Sequence, residues 1–279
     1  MFLRELFKLT RFEHAIMLAF AVLIAETAVL GEVPQLSLVL VLSILVPVFS
    51  EMGSFALNDY LDMATDRLNK KTDRPLVRGT ISPGFALNFS VLSLWLSIAL
   101  AFFLSSPAFL IAFAFNVLAI LYNWKLKDLP LVGNVYIALT MAIPFIFGNF
   151  VVAPALAPIT LILALLGFVA GLAREIIKSA EDMEGDRKAR GSRTLPVIIG
   201  ERNAVLSAVA LYILFIGLSA MPFFQGLPAT AFPVSLVLAA DMMILAICYK
   251  SIKGDYRFAR KASLAAFMLG MIGIMAATL

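Results

Sequence analysis

The stretch FALNDYLDMATDRLNKKTDRPLVRG, residues 55–79, decides the fold. It sets charges of both signs directly behind one of the most apolar runs in the chain. Within it Asn58, Asp62 and Asp66 recur at i, i+4 and i+8. On a helix that spacing places them on one face, one turn apart, with Asp59 rotated about 100° from Asn58. A second stretch, REIIKSAEDMEGDRKARGSRTLP from Arg174 to Pro196, repeats the spacing with Lys178, Asp182 and Asp186. Glu175, Glu181 and Glu184 stand around that second stripe. Each stripe closes an apolar segment long enough to be a membrane helix.

Composition agrees. The chain has 279 residues and is 62% hydrophobic, where a soluble domain is about half apolar. The apolar residues come in long unbroken runs rather than in alternation, which predicts an all-α polytopic membrane protein and excludes a barrel. The length suits one membrane domain over residues 1–279. One cysteine, Cys248, and one histidine, His14, exclude internal disulfides and make zinc chemistry a poor fit. The first apolar run is long and lacks a small-residue cleavage site, so it reads as a membrane helix rather than a signal peptide.

Apolar runs of about 18–23 residues fall near 13–31, 36–57, 84–104, 107–124, 131–153, 156–177, 203–223, 228–249 and 260–279. Each can cross roughly 30 Å of hydrocarbon, which predicts nine spans. Nine spans alternate sides, and the basic residues test the count. All 22 Lys and Arg fall on the side of the N-terminus and of the segments after spans two, four, six and eight. The opposite connections, GEVPQ, SSP, APALAP and MPFFQGLPA, carry none. The positive-inside rule then puts the N-terminus and every basic segment in the cytoplasm and the C-terminus outside. Anionic headgroups account for the net charge of +4, and no nucleic-acid partner is implied. The two long connections, about 58–83 and 179–202, are both cytoplasmic and both acidic. The matching stripes, 120 residues apart from Asn58 to Lys178, suggest a worn internal duplication whose halves face each other.

Stacked carboxylates repel by a few tenths of a kcal/mol per pair. A cation between the stripes removes that cost. Oxygen-only ligands with a neutral Asn suit a hard ion, Mg2+ or Mn2+. Mg2+ prefers one or two carboxylates plus substrate phosphates. Arg74, Arg78, Lys127, Arg174 and Lys178 lie near enough in sequence to the stripes or span ends to contact those phosphates. The combination describes a site for a lipid with a diphosphate head and a tail lying among the helices.

These residues resemble a known family. NDYLDMATDRLN fits the N-D-x-x-D-x-x-x-D motif of the UbiA superfamily of intramembrane prenyltransferases, and EDMEGD after REIIK fits its second acidic motif. The resemblance covers essentially the whole chain. Within the superfamily, NDYLDMATDRLNKKTDRPLVRGTIS, LYNWKLKDLPLVGN and REIIKSAEDMEGDRKARGSRTLP are most similar to the archaeal digeranylgeranylglyceryl phosphate synthases. That resemblance implies transfer of a geranylgeranyl group from its diphosphate to the free hydroxyl of geranylgeranylglyceryl phosphate. It implies one Mg2+ on Asn58, Asp62 and Asp66 and a second on Asp182 and Asp186, both bridging the diphosphate at the cytoplasmic face. Ser179 stands where the pattern places an Asp.

Other residues carry two readings each. Tyr122 with Lys125 or Lys127 could hold a phosphate, or be an interfacial aromatic with a snorkelling lysine. Arg11 could grip a phosphate on the acceptor, or anchor the first span, and His14 beside it could be a base or a headgroup residue. Asn134 and Asn149, inside the fifth span, could bond a neighbouring helix or a substrate. Glu26, Glu51 and Asp241 fall within apolar runs and should face the interior, Glu51 two turns before Asn58. Two other functions remain open on the residues alone: an aromatic-acceptor prenyltransferase for quinone-type precursors, and a transporter with a divalent-metal site. The acids cluster at one face rather than at the midplane where transporter sites lie, which favours the enzyme.

Overall fold

Serine and proline start many of the membrane helices. Ser37 accepts a hydrogen bond from the Leu40 amide, Ser82 from Phe85 and Ser105 from Ala108. Each satisfies an amide that the first turn leaves without a partner. The following Pro83 and Pro107 sit where a missing N–H costs nothing. A computed structural model of the protein describes residues 2–68, 71–129, 131–190 and 194–279, with residues 184–190 described by backbone alone. Among the described residues every regular element is helical. Among the described residues nine helices are long and apolar enough to cross a membrane, and the chain is a multi-pass membrane protein.

The chain divides into two compact units, Met1–Val22 with Gln35–Lys127 and Leu23–Pro34 with Asp128–Leu279. The first holds α1 (Phe2–Thr10), the start of α2 (Phe12–Leu30), α3 (Leu38–Leu61), α4 (Met63–Leu68), α5 (Pro75–Arg78), α6 (Pro83–Ala101) and α7 (Ser106–Trp124). The second holds the rest of α2, then α8 (Val132–Val152), α9 (Pro158–Arg190), α10 (Leu195–Ile199), α11 (Glu201–Leu218), α12 (Met221–Phe224), α13 (Ala231–Ile252) and α14 (Tyr256–Thr278).

In the first unit α3 packs along α6 and also meets α7. Apolar packing in lipid gains little from the hydrophobic effect, so small and polar residues do the joining. A β-carbon on Gly53 would lie 3.1 Å from the Leu94 backbone nitrogen. Ser90 donates to the Gly53 carbonyl at 2.8 Å, and Ser97 to the Val46 carbonyl at 2.9 Å. Asn116 extends the network, donating to Ser97 and accepting from Ser50. At one end Leu9 of α1 joins Ala56, Leu76, Ile81 and Ala86 in a small buried cluster. α1 is thereby held against the residues that follow α3.

In the second unit α9 is the hub, packed on α8, α11 and α14. Gly167 and Gly171 let α8 approach closely, a β-carbon on Gly167 falling 2.4 Å from the Met141 carbonyl oxygen. Asn149 proves structural. Its amide donates to the Ala155 carbonyl, and its oxygen accepts from the Ala157 amide and the Thr160 hydroxyl.

The expected boundaries shift in three places. α3 continues to Leu61 rather than 57, so Asn58 and Asp59 belong to the spanning helix. The connection read as 179–202 is mostly helix, because α9 runs on to Arg190. The segment before the first span forms α1, set off from α2 by a turn at Arg11 with φ of 44°.

Candidate active site

The first acidic stripe survives a break in its helix. α3 ends at Leu61, Asp62 is its C-cap in right-handed helical conformation, and α4 begins at Met63. The Asp62 amide bonds the Asn58 carbonyl at 2.9 Å, and the Asp66 amide bonds the Asp62 carbonyl at 2.8 Å. The i, i+4 register therefore carries through, and the three side chains stay in one column.

The two carboxylates are withdrawn from solvent, with Asp62 8% and Asp66 2% exposed, and Asn58 is half-buried. Asn58 Nδ2 donates to Asp62 Oδ2 at 2.8 Å. Lys127 Nζ lies 2.5 Å from Asp62 Oδ1, and Lys71 Nζ lies 3.4 Å from Asp66 Oδ1. Both carboxylates thus have a lysine partner. Lys127 arrives from a short 3-10 turn, Leu126–Asp128, after α7. Lys125 only caps α7 and is exposed, and Tyr122 is half-buried one turn earlier. The structure therefore separates Lys127 from Lys125, which the sequence could not.

Asp59 is the residue that spacing alone undervalued. It is 1% exposed. Its Oδ1 accepts from Arg11 at 3.1 Å and also from Arg74. The Arg11 guanidinium lies over the Phe55 ring, 4.1 Å from its centroid, and His14 meets that ring edge-on at 5.4 Å. Burial, then the charge of Arg74, pushes Arg11 down to about 10, while Asp59, Glu51 and Asp66 oppose that shift. Arg11 stays protonated at neutral pH.

Arg78 takes a different partner. It pairs with Glu5 of α1, and Thr80 donates to the same carboxylate oxygen at 2.9 Å. Burial raises the Glu5 carboxyl, but the bonds from Thr80 and Arg78 and the charges of Arg78 and Lys8 outweigh it and hold it below the usual range. The signal for Glu5 lay in α1 itself, where Glu5, Leu9 and Thr10 face inward while Phe2, Leu3 and Phe7 face outward.

The second stripe sits on the unbroken α9. Lys178 Nζ bonds Glu175 Oε1 at 2.8 Å, one turn back on the same helix. Glu181 accepts from Arg260 of α14 at 2.7 Å. Arg174 is 8% exposed, and its Nε has no hydrogen-bond partner among the described residues. Asp182 is half-buried. Asp186 and Glu184 lie outside the residues whose side chains are described. Ser179 accepts from Asn134 of α8 at 2.8 Å, so Asn134 bonds a neighbouring helix. Asp241, 7% exposed, accepts from Ser219 at 2.8 Å within the same unit.

Among the described residues no three His, Cys, Asp or Glu side chains converge as a metal cage. A cage of that kind is not what magnesium on a diphosphate needs, since one or two carboxylates, waters and phosphate oxygens suffice. Asn58, Asp62 and Asp66 fit that requirement. All their ligating atoms are oxygens, and the amide nitrogen of Asn58 is turned to Asp62, which leaves its carbonyl oxygen for an ion.

The UbiA prenyltransferase family profile matches residues 15–278. A digeranylgeranylglyceryl phosphate synthase of Archaeoglobus fulgidus is 38% identical, over 99% of this chain and 95% of its own. A solved structure described as a digeranylgeranylglyceryl phosphate synthase in membranes superposes with a TM-score of 0.75 at 26% identity, covering 99% of this chain and 98% of that one. A UbiA homologue from Archaeoglobus fulgidus bound to DMAPP and Mg2+ shares the fold with a TM-score of 0.68 at 22% identity, covering 98% of this chain and 97% of that one.

Proposed function

The chain belongs to the UbiA prenyltransferase family, and from that premise we propose that it transfers a geranylgeranyl group from its diphosphate to geranylgeranylglyceryl phosphate in archaeal ether-lipid synthesis. The observation that carries the reading is the 38% identity to a digeranylgeranylglyceryl phosphate synthase over 99% of the chain. The whole chain serves this one reaction. Its basic segments and N-terminus lie in the cytoplasm and its C-terminus outside, as the one-sided distribution of Lys and Arg supports.

Asn58, Asp62 and Asp66 would hold one Mg2+, and Asp182 and Asp186 a second. When bound, the metal supplies positive charge that neutralises the diphosphate as the allylic C–O bond breaks. Lys127, already beside Asp62, is placed to pass from carboxylate to phosphate when an ion enters. Arg174 and Lys178 would contact phosphate from α9, with Arg78 and Lys125 as outlying phosphate contacts and Tyr122 orienting the α7 end. The acceptor hydroxyl forms the new ether bond at the allylic carbon and gives up its proton, while diphosphate departs. Membrane apolar walls keep water from capturing the cation.

The test incubates purified protein with radiolabelled geranylgeranyl diphosphate and either geranylgeranylglyceryl phosphate or an aromatic acid, with and without Mg2+. Label should reach the glyceryl phosphate only, and only with Mg2+. Transfer to the aromatic acid alone would overturn the acceptor assignment.

A further inference from the structure

Two guanidiniums converge on one carboxylate oxygen in the first unit. Arg11 and Arg74 both donate to Asp59 Oδ1. The other oxygen, Oδ2, is buried and accepts no hydrogen bond among the described residues. The carboxylate is dry, with 1% of its side chain exposed, but Arg11 keeps 24% and Arg74 20% of theirs open. A guanidinium carries five N–H donors in a fixed plane. Each of these gives one to Asp59 and turns part of its remaining surface outward.

The hydrogen bonding is not evenly matched. Two guanidiniums share the one carboxylate oxygen they bond, Glu51 and Asp66 act on Arg11 only through charge, and half-buried guanidiniums with donors to spare favour an anionic ligand. Both arginines come from connections rather than long helices. Arg11 occupies the positive-φ turn between α1 and α2, and Arg74 is the N-cap of α5. Segments of that kind need an anchor, and Asp59, on the rigid α3, supplies one. Phe55, one turn earlier on α3, supports the plane of Arg11 from beneath.

The neighbouring carboxylates are served differently. Asp62 and Asp66 take lysines, compact charges that a divalent ion can replace. Asp59 takes only guanidiniums among its described partners, and their planar fork matches a phosphate without any metal. The proposed reaction has two phosphate-bearing substrates. The diphosphate is matched to the carboxylate stripe through magnesium, which leaves the phosphate monoester of the acceptor for the arginine pair.

We propose that Arg11 and Arg74 form a metal-independent clamp for the acceptor's phosphate monoester, and that Asp59 is the positioning residue that holds both in register. The clamp rests on the reading of the acceptor as a glyceryl phosphate. It goes further by separating the two phosphate sites and by giving Asp59 a role other than metal binding.

Steady-state kinetics of Asp59→Asn, Arg74→Lys and Arg11→Lys test it, varying each substrate at saturation of the other. KM for geranylgeranylglyceryl phosphate should rise about tenfold or more in each variant, the loss expected of a charged hydrogen bond. KM for geranylgeranyl diphosphate and the Mg2+ requirement should hold within about twofold. Asp59→Glu should recover part of the acceptor affinity. Calorimetric binding of geranylgeranylglyceryl phosphate without Mg2+ or donor should weaken in parallel. If the donor's KM rises and the acceptor's does not, the pair belongs to the diphosphate. If neither moves in a variant that melts like wild type, Asp59 is merely structural. Arg11→Lys, which keeps the charge, answers the question if Asp59→Asn does not fold. Wild-type protein that transfers nothing to geranylgeranylglyceryl phosphate would instead refute the proposed function itself.

Discussion

At the end of α3 the helix breaks at Asp62, whereas α9 runs unbroken from Pro158 to Arg190 through Asp182. The partners differ in origin too. Around the first stripe they come from distant points of the chain: Lys127 to Asp62, Arg11 and Arg74 to Asp59, and Arg78 to Glu5. Around the second, among the described residues, Lys178 bonds Glu175 one turn away, and the long-range pair is Arg260 with Glu181. Equal spacing in two sequences therefore does not give equal sites. A break lets the chain after α3 fold back, and the turn after α1 and the start of α5 then bring Arg11 and Arg74 to Asp59.

The largest expected effect asks whether the two stripes are equivalent in chemistry. Asp62→Ala and Asp182→Ala should each lose roughly 100-fold or more in kcat, as removal of a group acting on transition-state charge does. Thermal melting should stay close to wild type in both. Normal turnover in either variant would break the two-ion reading and make the stripes functionally unequal.

Packing provides the next contrast. Gly167→Ala drives a β-carbon to 2.4 Å from a backbone oxygen of α8, while Gly53→Ala meets mainly the Leu94 side chain, 2.9 Å away. Overpacking costs about 1–3 kcal/mol, and the backbone clash should fall at the upper end. Scanning calorimetry should find a lower Tm for Gly167→Ala than for Gly53→Ala. The reverse order would mean that α8 yields more easily than Leu94.

A smaller effect separates the lysines. Lys127 competes with an ion for Asp62, so Lys127→Met should tighten Mg2+ binding by roughly threefold in substrate-free calorimetry, the scale of an ion pair. Lys178 bonds Glu175 rather than a stripe carboxylate, and Lys178→Met should move Mg2+ affinity less. Equal shifts would erase the difference between the stripes.

The smallest effect concerns α1. The Glu5 carboxyl is held below its ordinary value. It therefore stabilises α1 docking above the usual carboxylate range, and that contribution fades as pH falls through its lowered pKa. The hydrogen-exchange protection of α1, taken relative to the intrinsic amide rate at each pH, should fall on acidification in the wild type. In Glu5→Gln that protection should already be lowered at neutral pH and change little with acid.

Much of this was legible in the residues. The nine spans were visible because a bilayer demands about 20 apolar residues, and the one-sided Lys and Arg checked their number. The column of Asn58, Asp62 and Asp66 was visible because helical register depends only on spacing. Asp59 was visible only as a residue 100° away, since burial and partners are not functions of spacing. Lys125 and Lys127 looked alike because both follow α7; only the 3-10 turn sends Lys127 to Asp62. Asn149 looked like a substrate contact as readily as a bond to a neighbouring helix, because an amide in an apolar run has no local signature.

The sequence by itself determined the membrane class, the long apolar spans and the two acid stripes. Those follow from hydrophobic length and helical period, which are properties of neighbours in the chain. The tertiary structure alone decided which cation meets which carboxylate. The pairing of Arg11 and Arg74 on Asp59 joins residues 48 and 15 positions apart. Such a contact exists only after α1, α3 and α5 have packed, because burial of the carboxylate and convergence of the two guanidiniums are both products of that packing.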